Sequence, residues 1–87
     1  MMNLNIRTSE LLEIHKYIGR EGDDVFLPLA QGLEFKREKG KCYISLGAFF
    51  AIPVDRLEVY KTYVKFYNSE NKNIALLISR TGKSFYE

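Results

Sequence analysis

Two runs near the C-terminus set the pattern of the chain. In the first, Lys61, Tyr63, Lys65 and Tyr67 alternate with Tyr60, Thr62, Val64 and Phe66; in the second, Ile74, Leu76 and Ile78 alternate with Ala75, Leu77 and Ser79. Successive side chains of a strand point to opposite faces, so the pattern predicts a hairpin of residues 59–67 and 74–79. The polar tract Asn68-Ser69-Glu70-Asn71-Lys72-Asn73, rich in turn formers, joins the arms. Tyr60, Thr62, Val64 and Phe66 then share a face that Ile74, Leu76 and Ile78 can cover. Lys61, Tyr63, Lys65 and Tyr67 form a stripe on the opposite face.

The same period recurs earlier. Leu4-Asn5-Ile6-Arg7 reads as a short strand. Leu11, Ile14 and Ile18 then follow helical spacing, which predicts a helix over 9–18 capped by Thr8 or Ser9, with Glu10 near the positive end of the dipole. Gly19 is its stop. Residues 25–29 resume as a strand, placed at an edge or a bulge by Pro28, which has no N–H to donate. Ala30-Gln31-Gly32 is a reversal, and 33–37 alternate again.

Lys39-Gly40 permits a register argument. A two-residue loop pairs Glu38 with Lys41, Arg37 with Cys42, Phe35 with Ile44 and Leu33 with Leu46, which puts four apolar side chains on one face and closes the hairpin with opposite charges. A three-residue loop sets Phe35 against Tyr43 and Leu33 against Ser45, a poorer match. The shorter loop requires positive φ at Lys39, which is a cost.

Two stretches are ambiguous. Gly47 to Ile52 is a short apolar run that fits a buried helical turn or an extended segment equally. Leu57, Tyr60 and Val64 also fit a helical stripe, so a helix over 54–61 competes with a strand; β-branched and aromatic density favours strand beyond Val59. Residues 81–87 read as a turn and tail. The expected class is α+β: a small β-rich barrel or sandwich of about six strands, with an N-terminal helix and a second short helix. The order of elements also reads as two β-α-β-β units, 3–38 and 41–80, although few identical residues align.

Composition narrows the class. With 87 residues and 46% hydrophobic content the chain is one globular domain rather than a disordered segment. A domain of this size buries only about 60–65% of its unfolded surface, which makes a homodimer a natural way to add buried area. The single cysteine, Cys42, excludes an intramolecular disulfide, and the N-terminus has no apolar run of signal-peptide or membrane-span type. The expectation is a cytoplasmic protein with no membrane association.

Ile6-Arg7 through Arg37, with Ile18-Gly19-Arg20-Glu21-Gly22-Asp23-Asp24-Val25 at its centre, resembles the AbrB/MazE-type swapped-hairpin DNA-binding domain, in which a strand and short helix lead to a Gly-Asp turn and a β-hairpin. It covers under half of the chain and lacks the family's usual Ile-Pro before the helix. The resemblance implies a dimeric or fused β-barrel that contacts DNA through basic residues near its first strand and helix, here Arg7, Lys16 and Arg20.

The chemistry on offer is recognition rather than catalysis. Net charge is only +2, yet Lys36, Arg37, Lys39 and Lys41 cluster at one turn. A basic hairpin tip can grip phosphates, and it can equally be a solvated turn that keeps an edge from aggregating. The Lys61, Tyr63, Lys65 and Tyr67 stripe spans roughly 20 Å and offers cations for phosphates and rings for bases, although such residues are also ordinary on a solvated sheet face. His15 and Cys42 are too few for a metal site and have no motif around them for nucleophilic catalysis. Gly82-Lys83-Ser84 matches only the tail of a phosphate loop. No cofactor is expected, and the protein is not expected to be an enzyme. The reading is a small nucleic-acid-binding protein, DNA before RNA, of the transcription-regulator kind. The alternative is a protein-binding module, such as a viral or mobile-element inhibitor or adaptor, whose tyrosines anchor an interface.

Overall fold

The computed structural model describes residues 4–48, 50–73 and 75–81. It is α+β, with one helix and eight strands among those residues. Strand β1 (Asn5–Arg7) leads into helix α1 (Thr8–His15). The chain continues through β2 (Val25–Pro28), a single 3-10 turn (Ala30–Gly32), β3 (Leu33–Glu38), β4 (Lys41–Leu46), β5 (Phe50–Val54), β6 (Arg56–Val59), β7 (Tyr63–Tyr67) and β8 (Ala75–Thr81). These strands form two open four-stranded sheets, ordered β1-β8-β7-β6 and β2-β3-β4-β5, rather than a closed barrel. The first strand lies parallel to the last, Ile6 beside Arg80, and every other pairing is antiparallel.

Strict alternation builds the core. Leu33 and Phe35 of β3, Cys42, Ile44 and Leu46 of β4, Val54 of β5, Val64 and Phe66 of β7 and Ile78 of β8 form one buried cluster with Ile6, Leu11 and Ile14. Both sheets and the helix therefore share a single interior. The radius of gyration, 12.2 Å, matches the roughly 12 Å expected of a compact chain this long.

The β3–β4 register is the one expected from a two-residue loop: Glu38 opposite Lys41, Phe35 opposite Ile44, Leu33 opposite Leu46. Lys39 takes a φ of 53° to allow it. Pro28 lies on β2, an edge strand, and Gly19 ends the helical region at a φ of 71°. Regular helix stops at His15, with turns through Gly19. Its cap residue is Arg7 rather than Thr8 or Ser9, because Glu10 reaches back to accept the Arg7 N–H at 2.9 Å and also takes the Ala30 N–H at 2.7 Å.

Three other expectations change. Both helical alternatives in the second half give way to strands, β5 over the second half of the apolar run and β6 within 54–61, so the second short helix is absent among the described residues. The strand count rises because 59–67 is not one strand. It breaks at Tyr60, Lys61 and Thr62, where the Tyr60 N–H donates to the Tyr63 carbonyl at 2.8 Å. No turn former marks this bend. Arg80 holds it instead, donating from Nη1 to the Tyr60 carbonyl at 2.7 Å and from its backbone N–H to the Thr62 carbonyl at 3.0 Å. Finally, the strand order does not follow two β-α-β-β units: the chain switches sheets at Asp55, and β1 joins the C-terminal strands. Ile74 and the tail beyond Thr81 lie outside the described residues.

Opposite faces of one sheet should respond differently to truncation. Phe66→Ala should cost about 3–5 kcal/mol of unfolding free energy, whereas Leu77→Ala on the outer face should stay within about 0.5 kcal/mol; urea denaturation of both variants measures the contrast.

Candidate functional site

Because Val64, Phe66, Ile78 and Ile6 point inward, the residues between them point out. The outer face of β1-β8-β7-β6 therefore carries Asn5 and Arg7, then Leu77, Ser79 and Thr81, then Tyr63, Lys65 and Tyr67, then Arg56 and Glu58, aligned by the strand pairings. Four residues singled out from sequence, Arg7, Tyr63, Lys65 and Tyr67, share this face. Lys61 does not join the stripe as a strand residue; it sits exposed in the β6–β7 bend.

The face is organised around Glu58. Its Oε1 accepts the Tyr60 hydroxyl at 2.6 Å and the Tyr67 hydroxyl at 2.7 Å. Tyr60 stacks on Tyr63, with centroids 4.6 Å apart and planes 15° from parallel. The Arg56 guanidinium lies 4.5 Å and the Lys65 ammonium 4.6 Å from the centre of the Tyr67 ring, cation–π geometry in both cases. Hydrogen bonds from Tyr60 and Tyr67 lower the Glu58 pKa, while the bond to Glu58 pushes Tyr60 up to about 12. Leu77, cross-strand from Lys65, is 62% exposed in the same face. Sequence reasoning missed Arg56 and Glu58; their parity with the stripe becomes visible only once β6 is known to pair with β7.

The basic turn is divided by the same alternation. Arg37 shares parity with Leu33 and Phe35 and is only 6% exposed. Its Nε donates to the Asp23 carbonyl at 2.8 Å, and Nη1 lies 3.4 Å from the Tyr17 and Arg20 carbonyls. Its guanidinium also sits 5.3 Å from the Tyr17 ring centre. A Cβ at Gly22 would lie 2.5 Å from Arg37 Nη2, and Gly22 has a φ of 155°, so a side chain there would be strained and would displace the guanidinium. Arg37 thus holds the α1–β2 connection and is withdrawn from the phosphate-contact set. Lys36 points outward from β3 between Phe26, which is 61% exposed, and Tyr43. Lys39 is in the turn. Lys41 and Arg20 line one groove of about 500 Å3 with Glu21, Cys42, Asp55 and Glu70. Lys16 pairs with Glu13 at 2.8 Å on the surface, a contact worth little. These cations belong to the other sheet and the helix end, so the ten candidates do not form a single patch.

Cys42 is buried, its Sγ 3.9 Å from the Tyr17 carbonyl, and burial raises its pKa against the opposing pull of Arg37. Among the described residues no group of three or more His, Cys, Asp and Glu could hold a metal, and no helix is long and apolar enough to cross a membrane. Comparison with protein-family models, curated proteins and solved structures finds no match.

Three outcomes follow from this geometry. In a spectrophotometric titration one tyrosine should ionise at about 12, and Glu58→Gln should bring it down toward the ordinary 10. The sign of the linkage is set by both partners. The pair's contribution to stability is complete between about pH 4.5 and 10; it falls below that window as Glu58 protonates and above it as Tyr60 ionises. Arg37→Ala should cost about 3 kcal/mol by leaving carbonyls of the α1–β2 loop unpaired, which chemical denaturation would register.

Proposed function

We propose that this protein binds nucleic acid, DNA before RNA, and takes it as a single strand across the outer face of β1-β8-β7-β6. One observation carries the reading: stacked Tyr60 and Tyr63 lie beside Tyr67, whose ring is flanked by Arg56 and Lys65, on an open sheet face. Aromatic planes take bases of any identity, and cations at their margins take phosphates. Arg7 at the edge strand and Lys61 in the bend extend the positive charge, with Glu58 the single opposing carboxylate on the four strands. An open four-stranded face suits a splayed strand better than a duplex groove, which calls for a protruding element. A role in regulating transcription rests on the resemblance of residues 6–37 alone.

A protein partner is the second reading, favoured by Leu77, which stands 62% exposed among the tyrosines. Tyrosine, arginine and an apolar anchor are the composition of interface centres. A second copy of this chain is one such partner, and sedimentation at micromolar concentration reports on it.

Fluorescence anisotropy with a single-stranded DNA 12-mer across a salt series tests the proposal. Affinity should fall with salt, Lys65→Ala should flatten the log–log slope by about 0.7, and Tyr63→Ala should cost about 1–3 kcal/mol. Absence of binding at low salt, with a partner captured through Leu77 instead, would transfer the function to the second reading.

A further inference from the structure

We infer that Glu58 selects among bases, favouring those with an exocyclic amino group over thymine; the inference rests on the single-strand reading proposed above. Glu58 stands on the edge strand β6, opposite Lys65, and its carboxylate joins the hydroxyl of Tyr60, which stacks on Tyr63, to the hydroxyl of Tyr67. Both hydroxyl contacts fall on one oxygen, Oε1. The second oxygen, Oε2, accepts neither hydroxyl, and Glu58 is only partly buried, with Arg56 and Lys65 the cations acting on its carboxylate. The two hydroxyls fix the plane of the carboxylate, so Oε2 is held as a positioned acceptor rather than a freely rotating charge.

The chemistry that satisfies such an oxygen is a donor. A base laid on the tyrosine stack presents its Watson–Crick edge sideways, toward the neighbouring strand. Cytosine offers N4–H2 there, as adenine offers N6–H2 and guanine N2–H2, whereas thymine brings two carbonyl oxygens on either side of its one N–H. The carboxylate attracts the first group and is repelled by the carbonyls of the last. Tyr60, Tyr63 and the cations of the face bind any strand; Glu58 supplies the difference between strands. The carboxylate remains ionised at neutral pH, because its hydroxyl partners lower its pKa.

Anisotropy with dC12 and dT12 at pH 8 and constant salt is the test, two pyrimidines chosen because their rings stack alike. Wild-type protein should bind dC12 about fivefold more tightly than dT12, the effect of one hydrogen bond. Glu58→Gln is the diagnostic variant. Its amide oxygen can still accept the two tyrosine hydroxyls, and its amide nitrogen becomes a donor where Oε2 stood, so the preference should shift toward dT12. Equal affinity of the wild-type protein for both strands overturns the inference and leaves the single-strand reading standing, as does a dC12 preference that Glu58→Gln leaves unchanged. Failure of both strands to bind at low salt overturns the reading and the inference together.

Discussion

The period-two alternation of β3, β4, β7 and β8 is the constraint from which the rest follows. Once Phe35, Ile44, Phe66 and Ile78 must be buried together, the identity of every outward residue on those strands is settled. A slip of one residue would exchange the faces entirely, sending Val64 and Phe66 to water and Lys65 to the interior. The Lys39-Gly40 turn guards this register in one sheet, with Lys39 accepting a positive φ because the alternative pairing would set Phe35 against Tyr43. In the other sheet the guard is Val64 between Val59 and Ile78, all part of the core or packed against it. The candidate binding face is therefore a by-product of core packing, positioned to the same tolerance as the core itself.

Two buried arginines complete the frame. Arg37 and Arg80 each sit on an inward-facing position of a strand and each donates to main-chain carbonyls, Arg37 to the α1–β2 connection and Arg80 to the β6–β7 bend. Arg80 also reaches Thr8 Oγ1 at 3.3 Å, which ties the last strand to the start of the helix. Guanidinium, with five donors in a planar fork, suits this use better than lysine would. Arg80 matters to the platform because Tyr60 can stack on Tyr63 only if the chain bends between them. The candidate face thus depends on a residue that never appears on it.

Much of this architecture is legible in the sequence. The β3–β4 hairpin is, because charge pairing and apolar pairing agree on one register. Helix α1 is, because Leu11 and Ile14 are spaced for one face, although it stops at His15 and Gly19 ends only the turns that follow. The inward and outward sets of β7 are legible from Val64 and Phe66. The bend at Tyr60 to Thr62 is not, since no glycine, proline or asparagine marks it and a contact from Arg80, twenty residues on, makes it. β5 is not, since a short apolar run has no period to read. Arg37 shows how counting charge misleads: among neighbouring lysines it looks like part of a basic patch, yet its parity with Leu33 and Phe35 already assigns it to the interior. Glu58 and Arg56 escape notice because they lie on β6, a strand whose existence the sequence leaves open, although their partners Lys65 and Tyr67 lie on β7.

The most direct test of the central claim is an amide chemical-shift map of the protein titrated with a single-stranded DNA 12-mer. The account predicts that shifts cluster on β6, β7, the bend between them and the outer positions of β8, with the basic turn at Lys36 to Lys41 little changed. Shifts confined to that turn and to the groove beside Arg20, with Tyr63, Lys65 and Tyr67 unmoved, would contradict it.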